Sequence, residues 1–148
     1  MADKDLNNYK DMDQCELKKR WLTMNTIPVD VGVFSQSVRM TPFELTMFAE
    51  KKVVAHLIDR HATTNFMSFP RFQSLQRDDL KMVKCDEKII VWDHLANSIG
   101  VLGQFFIVVQ NGSKSLLVRY LIVGCVKSHI VSKFPIMCAR NARELNLI

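Results

Sequence analysis

Residues 105–123 read FFIVVQNGSKSLLVRYLIV. Phe105–Gln110 is a run of β-branched and aromatic residues, the composition that suits a pleated and largely buried strand. Asn111-Gly112 follows, a dipeptide that adopts the positive φ angles of a tight hairpin turn. Leu116–Val123 then returns as the partner strand. Leu116, Val118, Tyr120 and Ile122 lie on one face, opposite Leu117, Arg119, Leu121 and Val123, so both faces are apolar apart from Arg119. A strand of that kind is central in its sheet or covered by a helix.

Working outward, Ile27, Val29, Val31 and Val33 alternate with other residues, and period two predicts a strand with Pro28 near its edge. Thr41-Pro42-Phe43-Glu44 fits a capping box with proline at the first helical position. An amphipathic helix is expected over Pro42–His61. Phe43, Met47, Val54, Leu57, Ile58 and His61 share its apolar face, interrupted by Glu50, while Lys52, Asp59 and Arg60 lie off it. Pro70 among Phe66, Phe69 and Phe72 disfavours a regular helix there, so an irregular segment over 62–82 is expected. Ile89–Trp92 reads as a short buried strand, and Asp93 as the cap of a short helix reaching Ser98, ended by Gly100 or Gly103. Val126–Phe134 fits strand or helix. Pro135 can open a last helix with Ile136, Ala139 and Arg143 along one side.

The whole is a predicted α+β fold. It is a single compact domain over 17–148, mostly antiparallel sheet with packed helices, behind a flexible tail over 1–16. Hydrophobic residues form 48% of the 148-residue chain, enough for a core. The net charge of +5 is uneven. Asp3, Asp5, Asp11, Asp13 and Glu16 outnumber Lys4 and Lys10 in the tail, whereas the last third is basic. Arg119, Lys127, Lys133, Arg140 and Arg143 are therefore the candidates for contact with phosphate of RNA or of lipid. Phe66, Phe69, Phe72, Phe105 and Phe106 are candidates for self-association, although core packing is the commoner use of such residues.

Several function classes find no motif. The acidic start is unlike a secretory leader, and the four cysteines form no C-x-x-C pair, which suits a reducing compartment. Gln104 and Arg119 interrupt the two longest apolar stretches, each shorter than the roughly 18–20 residues of a spanning helix. Neither a G-x-S-x-G elbow nor a phosphate-binding glycine loop occurs. Cys125 with His129, His56 with His61, and Asp93 with His94 are pairs too small to close a metal site. No cofactor, metal or catalytic residue is expected, and the chain reads as a non-enzyme.

At Ile90-Val91-Trp92-Asp93-His94-Leu95-Ala96-Asn97-Ser98 the chain resembles rhabdovirus matrix proteins. There a strand runs into Trp-Asp-His, then an apolar residue, then Asn and Ser, before two further apolar strands. The order of a strand within Arg20–Ser35 followed by a helix over Pro42–His61 is also similar. The resemblance implies a non-enzymatic virion protein that self-associates and bridges the viral nucleocapsid and a membrane. Its partners would be itself, nucleocapsid or RNA, and peripherally an anionic membrane surface. It would reside in the virion and the host cytoplasm, and would not be secreted. The scattered prolines 28, 42, 70 and 135 supply no proline-rich budding motif, and the tail is acidic where the animal-virus proteins are lysine-rich. The plant-infecting type fits these absences better. The alternative is a small basic RNA-binding accessory protein, such as a silencing suppressor or movement-type factor.

Overall fold

In the computed structural model, strands β7 (Val101–Asn111) and β8 (Lys114–Val123) form the long hairpin that the sequence announces. The model describes residue 9 and residues 12–25, 31–33, 43–47, 52–75, 80–85, 90–92, 98–124, 131 and 133–148. Asn111 pairs with Lys114, so the two turn residues are Gly112 and Ser113. Gly112 has φ +59, while Ser113 is not among the positive-φ residues. Glycine thus occupies the first central position of the turn, one place earlier than in an Asn-Gly turn, where it is the second. The return strand is internal, with β7 on one side and β4 (Asn65–Ser68) on the other.

The expected helix over Pro42–His61 is a β-hairpin instead. Strands β2 (Phe43–Met47) and β3 (Lys52–Asp59) pair antiparallel, from Phe43 with His56 to Met47 with Lys52. The apolar spacing there satisfies both a helical and a strand period. Non-local pairing decides the matter, because β3 also pairs in parallel with β9 (Ile136–Cys138). Residues 41, 42 and 48–51 lie outside the described set. Residues 62–82 are more regular than expected. Asn65–Ser68 is a wholly buried strand, and α2 (Phe69–Leu75) follows with Pro70 in its first turn, where a missing N–H costs nothing. The expected last helix from Pro135 begins later. Ile136–Cys138 is strand, and α3 spans Ala139–Glu144.

Six strands close a barrel in the order β2-β3-β9-β4-β8-β7, with β7 returning to β2. Met47, Ile58, Met67, Phe105, Val109, Val118, Tyr120, Ile122 and Met137 belong to its main core, together with Phe72 of α2 and Ala142 of α3. The expected α+β class holds: a compact, mostly antiparallel sheet with packed helices. A separate three-stranded sheet joins β5 (Ile90–Trp92) to β1 (Val31–Val33) in parallel and to β6 (Ser98–Ile99) antiparallel. Residues 93–97, and with them the expected Asp93 cap, lie outside the described residues, as do Cys125, Lys127 and His129.

The N-terminal boundary moves from the sequence reading. Helix α1 (Gln14–Met24) already includes Gln14–Glu16, and Asp13 caps it by accepting the Glu16 N–H at 2.8 Å. Leu17 and Trp21 pack on Phe106, Val108 and Leu117, the outer face of the long hairpin. The Gln14 side chain completes the docking. It donates to Phe106 O at 2.8 Å and accepts from Phe106 N at 2.7 Å, as a neighbouring strand would. Two residues along, Val83 and Gln104 exchange backbone bonds of 2.7 and 2.8 Å. Together these close the β7 edge that the short pairing with β2 leaves open.

Candidate active site

Two parallel strands, β3 and β9, end side by side at Asp59 and Cys138. Paired residues of parallel strands share a face, and here the pairs alternate. Ile58 and Met137 face the barrel core, while Leu57 and Ile136 belong to the second apolar cluster, with Ala62, Phe66, Leu121, Val131 and Cys138. Asp59, two residues after Leu57, therefore shares the face of this second cluster.

Asp59 is 2% exposed, in a turn that fixes the orientation of its side chain. The His61 N–H donates to Asp59 Oδ1 at 3.0 Å, and the Ala62 N–H donates to Asp59 O at 3.2 Å. The chain thus folds back at Asp59 through both its side chain and its carbonyl, and enters β4 at Asn65. Arg60 and His61, at the tip of the turn, are exposed.

A buried polar hub holds the strands on which this turn rests. Asn65 Nδ2 donates to Arg119 O at 2.9 Å and to Asn141 Oδ1 at 2.8 Å, while its Oδ1 accepts the Cys138 N–H at 2.9 Å. One amide therefore joins β4, β8, β9 and α3. The Cys138 thiol donates to Asn141 Oδ1 at 3.4 Å, and Asn141 Nδ2 donates to Glu144 Oε1 at 3.1 Å. Burial pushes the Cys138 thiol up from its ordinary range, so at neutral pH it is a thiol and a poor nucleophile. Asp59 is the group of this corner suited to proton transfer: an oriented carboxylate withdrawn from bulk water.

His56 lies on the opposite face of β3 from Asp59 and is no partner to it. Its ring is buried, and it accepts a hydrogen bond from Tyr120 inside the barrel. His61 is exposed and contributes its backbone to the site. Among the described residues no group of His, Cys, Asp or Glu could hold a metal ion. No helix of the described residues is long and apolar enough to cross a membrane.

The residues singled out from sequence divide sharply. Phe66, Phe72, Phe105 and Phe106 are 0–1% exposed, and Phe69 is half-buried against the core. They build the interior and offer no adhesive surface, which corrects the self-association assignment. Arg119 is corrected as well. It is 3% exposed, its guanidinium stacked on Trp21 at 4.5 Å from the ring centroid, so it is unavailable to phosphate. Lys133, Arg140 and Arg143 are exposed, with Arg140 paired to Glu144 at 3.8 Å. Asp59 was missed because the helical reading put it on a solvent-facing side.

No protein-family model matches the chain, and no curated protein does. Solved structures do. EIAV protease complexed with the inhibitor HBY-793 aligns over 75% of this chain and 92% of that one, with a TM-score of 0.55 and 8% identity. Simian foamy virus (mac) protease covers 72% of this chain and 96% of its own, with a TM-score of 0.40 and 6% identity. A protein of unknown function from Legionella pneumophila aligns over 77% and 88%, at 0.40 and 6%. At 8% identity, the likeness to EIAV protease is one of fold.

Proposed function

We propose that the chain is a peptidase of the two-carboxylate type, active as a homodimer, with Asp59 supplying one carboxylate from each copy. The observation that carries this reading is the buried Asp59, oriented by the His61 N–H at the joint end of two parallel strands. The fold shared with a viral protease supports it.

Two-carboxylate peptidases hold the pair about 3 Å apart, where the two share one proton. Residues 59–68 contain a single carboxylate, and Glu144 in α3 is exposed and engaged with Arg140 and Asn141. A two-fold pair of chains supplies two equivalent groups. The ionised carboxylate takes a proton from water as its oxygen attacks the peptide carbon. The protonated partner gives its proton to the carbonyl oxygen. Collapse of the tetrahedral species then breaks the C–N bond, and the amine leaves with a proton.

The test is cleavage of an unfolded protein substrate between pH 4 and 7, with Asp59→Asn as the control and sedimentation velocity beside it. Activity that vanishes in Asp59→Asn and rises more steeply than linearly with enzyme concentration is expected. Equal cleavage by the variant, or a strictly monomeric active species, would overturn the reading.

A second reading, a matrix-type or RNA-binding structural protein, is supported by the exposure of Lys133, Arg140 and Arg143. A gel shift across a salt series tests it. Strong RNA binding with a steep salt slope and no proteolysis would favour it.

A further inference from the structure

We infer that Arg60 makes this site selective for peptides that carry acidic side chains on both sides of the bond to be cut, an inference that rests on the two-copy reading above. Arg60 follows the candidate carboxylate directly and stands exposed at the tip of the Asp59–Ala62 turn. The two bonds that fix this turn, from His61 N and Ala62 N to Asp59, leave the Arg60 side chain projecting outward.

Arg60 forms no ion pair among the described residues. Arg140, the other arginine near this end of the β3–β9 pair, differs in having Glu144 within 3.8 Å. His61 adds a second exposed side chain with donor capacity to the same tip. The tip of the turn thus carries a cation with no ion-pair partner among the described residues, next in sequence to a carboxylate withdrawn from solvent.

Symmetry then multiplies the effect. Bringing two Asp59 carboxylates within reach of one proton brings the two turns together, and with them two Arg60 and two His61 side chains. An extended peptide crossing the two-fold axis meets one turn on each side of its central bond. Acidic side chains at both flanks match that pattern. Basic ones add to the repulsion between the two Arg60 groups and disfavour the pair. Peptide binding and dimer formation are accordingly linked, since a ligand that favours the pair stabilises it.

The experiment uses two fluorescein-labelled decapeptides with the same central apolar residues, one flanked by Glu and one by Lys. Binding is read by anisotropy on full-length Asp59→Asn protein, cleavage on the wild type. The Glu peptide should bind more tightly, by about fivefold for each exposed ion pair formed. The preference should shrink between 50 and about 500 mM salt as screening lengths fall. Adding Arg60→Gln should remove most of the preference, and Arg60→Lys should retain it, which separates charge from folding.

Equal handling of the two peptides, with cleavage still dependent on Asp59, overturns the acidic selectivity and leaves the peptidase reading standing. Arg60-dependent binding of the Glu peptide without cleavage of either peptide overturns the peptidase reading and supports the selectivity. Binding of neither peptide overturns the selectivity whatever the cleavage assay gives.

Discussion

The Tyr120 hydroxyl lies 2.6 Å from His56 Nε2, and both side chains are fully buried in the barrel. The geometry fixes who donates. His56 Nδ1 is 3.0 Å from Val54 O, and a carbonyl can only accept, so Nδ1 carries the ring proton. Nε2 is left as the acceptor for Tyr120. The pair therefore needs a neutral imidazole, and desolvation lowers His56 from 6.5 to about 4, against a smaller raising effect of the Val54 carbonyl. Burial pushes Tyr120 upward, which keeps its hydroxyl a donor.

From this follows a dependence of stability on pH. The folded state holds His56 neutral down to about pH 4, whereas the unfolded chain takes up the proton below 6.5. The stabilisation is complete above pH 6.5, is lost as pH falls towards 4, and changes no further below that. Its size is on the order of 3 kcal/mol. Urea unfolding from pH 7.5 to 4 should show the slope, and His56→Gln should flatten that part of it. A variant that keeps the full wild-type slope in this window would remove His56 as its source. Tyr120→Phe at pH 7.5 should cost about 1–3 kcal/mol, the penalty of a buried acceptor left without a donor.

Gly103 supplies a second test, through space and not charge. It follows the β7 irregularity between Val101 and Gly103, where the strand passes close to residues 82 and 83. A Cβ on Gly103 would run into Met82 Cγ, and would lie 2.6 Å from Met82 Sδ and 3.0 Å from Val83 O. The methionine can swing aside, because Met82 is 39% exposed, but the Val83 carbonyl is held by Gln104 N at 2.8 Å. Gly103→Ala should destabilise the fold by about 1–3 kcal/mol, as overpacking does. Met82→Ala in the same chain should recover part of that and not all. Full recovery would mean that the backbone contact with Val83 gives way freely.

How far the sequence discloses this fold depends on where each residue finds its partner. The β7–β8 hairpin is legible because its pairing is local and its turn chemistry is strong. The internal position of β8 is legible too, from apolar residues on both faces. The β2–β3 hairpin is not, because Val53, Val54, Leu57 and Ile58 suit either period and β3 owes its place to β9, far along the chain. Asp59 shares that fate. Its burial opposite Cys138 exists only once the two strands meet, so nothing local separates it from a solvent-facing helical aspartate. Arg119 misleads in a related way. A cation in an apolar strand reads as a surface charge unless Trp21, from a helix nearly a hundred residues upstream, is known to cover it.

That cover leads to the last prediction. Arg119 Cζ stands 4.5 Å from the Trp21 ring centroid, and Trp21 also leans on Phe106 at 5.7 Å, with their planes 53° apart. A cation held over an aromatic face in a desolvated site contributes about 2 kcal/mol. Trp21→Leu keeps most of the apolar cover but withdraws that face from a buried cation, so it should cost more than its lost area alone. Arg119→Met removes the cation and leaves an apolar stem against the ring. If the two act as a pair, the double variant should be more stable than the sum of the single losses by about 1–2 kcal/mol. Chemical denaturation of the four proteins measures this coupling. Strict additivity would mean that α1 docks through Leu17, Trp21 and Gln14 by packing and backbone bonding alone, with the arginine merely enclosed beneath it.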